Sequence, residues 1–422
     1  MVEKDRDTVG RKEYVGMMRR RIGCRFCGSD RLTTVLDFGE MPLAGGFLTP
    51  GEFEGEQKFP LETSVCLDCS LVQGLNVIDP DVLFRNYFYL SSVSGTASTH
   101  FEQLACLLRR EILPDNGFLV EMGCNDGALL GPLQKMGVRV LGVDPARNVA
   151  EIARERGIEV VAEYFSEDVA RQIVEEKGKA DVISASNVFA HIDDLSEVMK
   201  GVRALLSDNG TFVIETRYIV DLLDGMQFDT IYHEHLSYYS VNSLMSFFHR
   251  WGLEIVRVDR IPMHGGAIRV FVQRECGRLP NLDEILSLED RMGIDRPYTY
   301  IQFGERVEKY KKELRQVVAE REAKGKTLCG YGASGRAAIL LNYCGIDSMQ
   351  YIVDESPLRA GKCMPGIHTP IYFPAHFRAH PTDDCMITAW TYEKEIVGKE
   401  KGYKGTFIIP LPDIRVIERT SA

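Results

Sequence analysis

Tyr232-His233-Glu234-His235, within the segment from Phe228 to Tyr239, sets two imidazoles beside a carboxylate and a phenol, with Tyr238 and Tyr239 close behind. Titratable groups at that density cannot enter an apolar core without a partner for each. The segment is therefore read as a chemical centre in preference to an aromatic surface loop. Histidine is the natural general base, because an unperturbed pKa of about 6.5 leaves it largely neutral at neutral pH. Spacing alone permits either His233 or His235 in that role. A fully extended chain would send residues 232 and 234 to one side and 233 and 235 to the other, so a site using Tyr232, Glu234 and His235 together requires a turn. Two imidazoles at i, i+2 also suit a metal, but no third ligand is evident.

A second chemistry-bearing set is Cys24-Arg25-Phe26-Cys27 and Cys66-Leu67-Asp68-Cys69, two Cys-x-x-Cys knuckles separated by 38 residues. Paired knuckles bring four thiolates onto one tetrahedral Zn²⁺. Neither knuckle opens a helix in a βαβ unit, as a thioredoxin-like use would require. All four cysteines are consumed and no histidine or carboxylate joins them, so the predicted site is closed and structural, a staple for a module too small to rest on its core alone.

The elements that position these groups alternate strand, turn and helix. Phe118–Met122 reads as a buried strand running into Gly123-Cys124-Asn125-Asp126-Gly127, Val138–Val143 as a second strand ending at Asp144, and Asp181–Ala185 as one leading into Asn187-Val188-Phe189-Ala190-His191. A further strand, Gly210–Glu215, precedes the Tyr-His-Glu-His run. This alternation predicts a doubly wound, mainly parallel α/β sheet with ligands outside the carboxyl ends of its strands. Past residue 276, a charged helix at Gly304–Lys324 leads to a strand entering Gly330-Tyr331-Gly332-Ala333-Ser334-Gly335-Arg336, with Asp354 ending the next strand. That Gly-x-Gly-x-x-Gly fits three uses: NAD binding, a structural tight turn, or a cradle in which backbone N–H groups and Arg336 hold a pyrophosphate.

At 422 residues the chain exceeds one ordinary core, given about 150 residues per domain. The expected division is a solvated tail at 1–21, a zinc module at 22–80, a central α/β domain at 81–275 and a Rossmann-like α/β domain at 276–422. Between module and sheet, residues 80–100 carry Tyr87, Tyr89, Ser91, Ser92, Ser94 and Thr96, either domain packing or the mouth of a pocket. A net charge of −11 argues against a nucleic-acid partner, which needs a basic face. No apolar run reaches the roughly 20 residues of a membrane span, and the charged N-terminus has no signal-like segment, so a cytoplasmic protein is expected. Eleven cysteines in such a chain indicate metal or thiol chemistry before disulfides.

Glu121-x-Gly123-x-x-x-Gly127 after the first strand, with Asp144 after the second, resembles the class I methyltransferases. In that family the glycines let S-adenosylmethionine approach the backbone and the acid accepts from its ribose hydroxyls, a diol having O–H donors to offer. The resemblance implies a cofactor site at Glu121, Gly123, Asn125, Asp126, Gly127, Asp144 and Asn187. With Glu215, the Asn187-x-x-x-His191 loop, Tyr232-His233-Glu234-His235 and His264-Gly265-Gly266 added, the chain beyond residue 22 resembles more narrowly the sugar C-methyltransferases. These act on nucleotide-linked 4-keto-6-deoxy sugars and carry an N-terminal four-cysteine zinc module and a C-terminal α/β domain.

Methylating carbon next to a ketone requires removal of a proton from that carbon and donors for the enolate oxygen. The resemblance implies His235 as base, Glu234 orienting it or contacting a sugar hydroxyl, Tyr232 and His191 as donors to the enolate, and Tyr87 or Tyr89 reaching in from the connector. It places His233 and His264 toward substrate and gives Gly332 and Arg336 the pyrophosphate of a nucleotide sugar, with dTDP the expected nucleotide. Implied cofactors are S-adenosylmethionine and structural zinc, and the chemistry itself needs no metal. Chelation is expected to loosen the module without directly stopping catalysis. O- or N-methylation, or a noncatalytic zinc-bearing scaffold, are the rival readings. The oligomeric state is left open, with a monomer possible.

Overall fold

In a computed structural model the described residues are 16–85, 87, 89–92, 95–274 and 280–418. Residues 1–15 of the expected tail, Ser94 of the connector and the expected boundary at 275 and 276 lie outside them. The N-terminal module contributes β1 (Met18–Arg20), β2 (Leu32–Pro42), β3 (Lys58–Cys66), β4 (Val72–Gly74) and β5 (Asn76–Ile78). β1 falls where the sequence suggests a solvated tail; it instead pairs antiparallel with β5. The arginines in and after it have partners: Arg20 meets Glu62, while Arg19, Arg21 and Arg25 converge on Asp193.

The central sheet is built from β6 (Phe118–Met122), β7 (Arg139–Val143), β8 (Val160–Val161), β9 (Ala180–Ser186) and β10 (Leu206–Arg217), then, after the short β11 (Ser237–Tyr238), β12 (Glu254–Ile261) and β13 (Ala267–Gln273). Its order is β12-β13-β10-β9-β6-β7-β8. The strands from β10 to β8 run parallel and β12 and β13 antiparallel. β6 is buried along its whole length because helices cover both faces, which is why its sequence is an unbroken apolar run. On one face Val120, Ile183 and Ile214 pack with Val198, Met199 and Val202 of the helix Leu195–Leu205. On the other, Leu119, Val182 and Val213 pack with Phe101, Leu104 and Leu108 of the helix Gly95–Glu111. The period of two in the strands and the i, i+3, i+4 spacing in the helices divide these sets. Each fully buried side chain of this kind contributes about 1.5–3 kcal/mol.

The C-terminal sheet, order β16-β15-β14-β17-β18-β19, uses β14 (Leu328–Tyr331), β15 (Ile352–Val353), β16 (Ile371–Tyr372), β17 (Asp384–Met386), β18 (Thr406–Ile409) and β19 (Arg415–Glu418). All neighbours are parallel except β18 and β19. The helix Gly335–Cys344 follows the Gly-rich loop; Ser334 caps it by accepting from Ala337 N–H at 3.2 Å, the capping that an early helix donor requires. No helix among the described residues is long and apolar enough to cross a membrane.

Candidate active site

The carboxyl ends of both doubly wound sheets open onto one cavity of about 840 Å³, closed on a third side by Gly45, Gly46 and Phe47 of the N-terminal module. On the central sheet, the turn after β6 is held by Gly123 N–H donating to Val143 O at 2.8 Å. Gly123 has φ +68°, and a Cβ there would lie 2.8 Å from Val188 Cγ2, so only glycine fits. Asp144 accepts from Asn125 N–H at 2.8 Å and Ala146 N–H at 2.9 Å. Burial raises its pKa and these two bonds lower it; each carboxylate oxygen keeps a lone pair for an O–H donor. Asn187, with φ +56°, also lines the cavity. These residues fit the ribose and amino-acid portions of S-adenosylmethionine, which needs a bare backbone and a diol acceptor.

The remaining members of the expected cofactor set do different work. Asn125 spends its side chain on the connector, accepting from Ser91 N–H and donating to Tyr89 O at 3.0 and 3.1 Å. Asp126 is fully buried, accepts from Ser92 and pairs with Arg156. Gly127, φ +78°, packs against Ile158. Glu121 is buried behind the cavity wall, and burial with Asp144, Asp126 and Glu215 nearby raises its pKa well above the carboxylate range.

The turn that Tyr232-His233-Glu234-His235 requires is present: His235 N–H donates to Tyr232 O at 2.9 Å. It sets the Tyr232 and His235 rings tilted against each other with centroids 4.0 Å apart, and His191 stacks on His235 at 5.1 Å. His235 Nδ1 lies 2.6 Å from Thr230 O. A carbonyl can only accept, so Nδ1 carries the proton and Nε2 is left with its lone pair. Burial, then the neighbouring His191 and Arg217, hold the His235 pKa well below 6.5. His191 is lowered to about 4 by burial and Arg217, and its other face stacks on Phe84 at 5.6 Å.

Glu234 points elsewhere, toward the Tyr87 hydroxyl at 3.5 Å and the backbone of Gly45, where a Cβ would come within 2.9 Å of its Oε1. Thr230, not Glu234, thus orients His235. Burial pushes Glu234 up to about 7 and the Tyr232 and Tyr87 phenols above their usual range. His233 faces the N-terminal module, with Nε2 3.2 Å from Pro60 O and its ring edge-on to Phe59. Tyr89 stands next to Tyr87 at the cavity mouth, partly exposed.

On the C-terminal wall, Gly332 has φ +106° and a Cβ would meet Ala389 Cβ at 2.3 Å. Arg336 is a two-pronged partner of Asp229, at 2.9 and 2.8 Å, and also donates to His264 O at 3.1 Å. Trp390 Nε1 donates to the same Asp229 carboxylate at 2.8 Å, and Arg336 lies over the Trp390 ring. The His264 imidazole lines the cavity, its pKa lowered to about 3 by burial and then by Arg217 and Arg336. Sequence reasoning missed Asp229, Arg217, Arg359 and Trp390. Asp229 lay in the very segment singled out, but its pairing with Arg336 across 107 residues left no local signal in the sequence.

The Sγ atoms of Cys24, Cys27, Cys66 and Cys69 all lie within 4.8 Å of one another, with Cys24–Cys69 and Cys27–Cys66 at 3.5 Å. A tetrahedral ion with Zn–S of about 2.3 Å places sulfurs roughly 3.8 Å apart, so the four thiolates fit one zinc. The four-cysteine module also reaches the segment that carries His235. β11 pairs with β4, Ser237 opposite Gln73 and Tyr238 opposite Val72, extending its sheet to β11-β4-β3-β2. Arg25, between the first two cysteines, donates to Leu236 O at 3.0 Å, one residue past His235.

Comparison with known proteins matches three family models in succession: a zinc binding domain over residues 24–84, a methyltransferase domain over 98–258 and a C-methyltransferase C-terminal domain over 262–412. The C-methyltransferase NovU of Streptomyces niveus is 40% identical over 408 residues, 94% of this chain and 97% of that one. A ubiquinone biosynthesis O-methyltransferase of Azorhizobium caulinodans is 27% identical over only 25% of this chain and 43% of its own. Among solved structures, a SAM-dependent methyltransferase of Anabaena variabilis covers 42% of this chain and 86% of its own at 18% identity and a TM-score of 0.35.

Proposed function

The chain belongs to the C-methyltransferase family, and on that premise we propose that it methylates C3 of a nucleotide-linked 4-keto-6-deoxy sugar, dTDP being the expected nucleotide. S-adenosylmethionine, when bound, supplies an electrophilic methyl group on sulfur; Gly123, Asp144 and Asn187 are the residues that would hold it. A 4-keto group acidifies the C3 hydrogen. His235 Nε2 takes that proton, and the C–H electron pair moves toward the ketone oxygen to give the enolate carbon nucleophile that C-methylation requires. The unshared pair on Nε2, left free by the Nδ1–H bond to Thr230 O, is the observation that carries this assignment. Tyr232, tilted against His235, and His191, stacked on it, crowd the ring and line the same pocket as donors. Tyr87 and Glu234 form a polar edge suited to a sugar hydroxyl.

The cavity volume of about 840 Å³ lies in the range of roughly 300–1,000 Å³ typical of ligand sites. Its walls come from the methyl-donor edge and from the C-terminal Gly-rich loop. Because Arg336 is committed to Asp229, the pyrophosphate is better served by backbone N–H groups of that loop and by Arg359, which lines the cavity and among the described residues pairs with Asp354 alone, at 3.3 Å. The test is product identity. With methyl-¹³C-labelled S-adenosylmethionine and a dTDP-4-keto-6-deoxy sugar, the labelled methyl should resonate as carbon-bound; an oxygen-bound methyl signal overturns the reading.

A further inference from the structure

Arg217 is the last residue of β10, paired across the sheet with Ala267. The next residue, Tyr218, bridges to Tyr239, and Ile219 N–H donates to Tyr239 O at 3.0 Å, so the strand end is tied to the segment that carries His235. The guanidinium lines the cavity and donates from Nη1 to His264 O at 3.1 Å. The same carbonyl takes the Nη1 donor of Arg336, but the two arginines are not equivalent. Arg336 has Asp229 as its counter-charge, whereas among the described residues no carboxylate comes within ion-pair distance of Arg217. Asp229 acts on Arg217 only from beyond ion-pair distance and is already paired with Arg336, so the partly buried cation is incompletely compensated and a bound anion would relieve it.

The surroundings of Arg217 narrow the choice of anion. Its charge acts on His191, His235, His264 and Tyr232, the ring cluster around the proposed base. Arg359 stands instead beside Asp354, on the wall of the C-terminal loop. Enolisation removes a proton from one carbon while negative charge builds on the oxygen of the next, so base and cation must sit on adjacent atoms of one substrate.

We propose that Arg217 is a catalytic residue that ion-pairs with the ketone-derived oxygen as it becomes the enolate. This rests on the C-methylation reading. The C–H pair becomes the carbon–carbon π bond, the carbonyl π pair moves onto oxygen beside Arg217, and the proton resides on His235. When the carbon takes the methyl group, the oxygen pair returns to re-form the carbonyl, the carbon–sulfur bond pair leaves with sulfur, and His235 later returns its proton to water.

The experiment compares wild type with Arg217→Gln and Arg217→Lys, following hydrogen exchange at C3 of a saturating dTDP-4-keto-6-deoxy sugar in D₂O and, separately, dTDP affinity by calorimetry. The expected result is a fall in exchange of about 10²–10³ for Arg217→Gln, as for loss of an oxyanion donor, partial recovery in Arg217→Lys, and dTDP affinity held within about threefold in both. S-adenosylmethionine affinity reports that each variant is folded. Weakened dTDP binding with exchange at saturation retained would make Arg217 a diphosphate anchor and overturn the proposal, as would no change in either quantity. Absence of exchange in the wild type overturns the C-methylation reading as well, which separates the two failures.

Discussion

At the scale of single residues, the division of labour turns on hydrogen bonds too short in sequence range to be seen as motifs. His235 is singled out from His233 by a turn and by the Thr230 carbonyl, where sequence spacing left the two interchangeable. His235→Ala should lower turnover by about 10²–10⁴, the usual cost of losing a general base, while calorimetric affinity for S-adenosylmethionine stays near wild type; near-normal turnover contradicts the assignment. The pH profile distinguishes the base from its neighbours. Burial holds His235 and His191 neutral well below pH 6.5, His191 to about 4, whereas burial raises Glu234 to about 7. Glu234 is therefore the group that changes charge near neutrality, protonated below about 7 and ionised above. As an acceptor for Tyr87 and a sugar hydroxyl it works in its ionised form, so kcat/KM should rise with pH through about 7. Glu234→Gln should abolish that inflection, and its persistence in the variant would assign it elsewhere.

At the scale of elements, the two Gly-containing loops and the paired knuckles were legible because each is a local spacing with a geometric reason. The short pairings between distant pieces were not. β11 is two residues long and carries no periodicity that could announce it, yet it joins the zinc module to the turn that carries His235. The expectation that chelation spares the chemistry changes accordingly: loss of the ion loosens the sheet that accepts β11 and the knuckle whose Arg25 holds Leu236 O. Removing zinc should depress C3 exchange along with the module's thermal stability, and readdition should restore both; full exchange in metal-free protein would show the module to be a staple only. Gly123→Ala probes the other edge. Its positive φ and the 2.8 Å approach to Val188 Cγ2 should cost about 1–3 kcal/mol and weaken S-adenosylmethionine binding measured by calorimetry.

At the scale of the whole molecule, the sequence predicts three folding units after the tail, and in the structure residues from each of those segments line one cavity. The fork between Arg336 and Asp229 spans 107 residues and joins the helix Gly335–Cys344 to the segment that carries His235; neither residue alone announces the other, which is why Arg336 reads from sequence as a phosphate ligand. With Asp229 fully buried and Arg336 nearly so, Asp229→Asn leaves a buried guanidinium without its counter-charge, a loss of about 3–5 kcal/mol that thermal unfolding should register. The long helix Pro297–Glu322 lies against β2, so the C-terminal unit also braces the zinc module. All three units meet around His235, and one measurement addresses what that assembly is for. A dTDP-4-keto-6-deoxy sugar incubated in D₂O without methyl donor should acquire deuterium at C3 with wild-type protein and not with His235→Ala; undiminished exchange in the variant would contradict the assignment of His235 as the base.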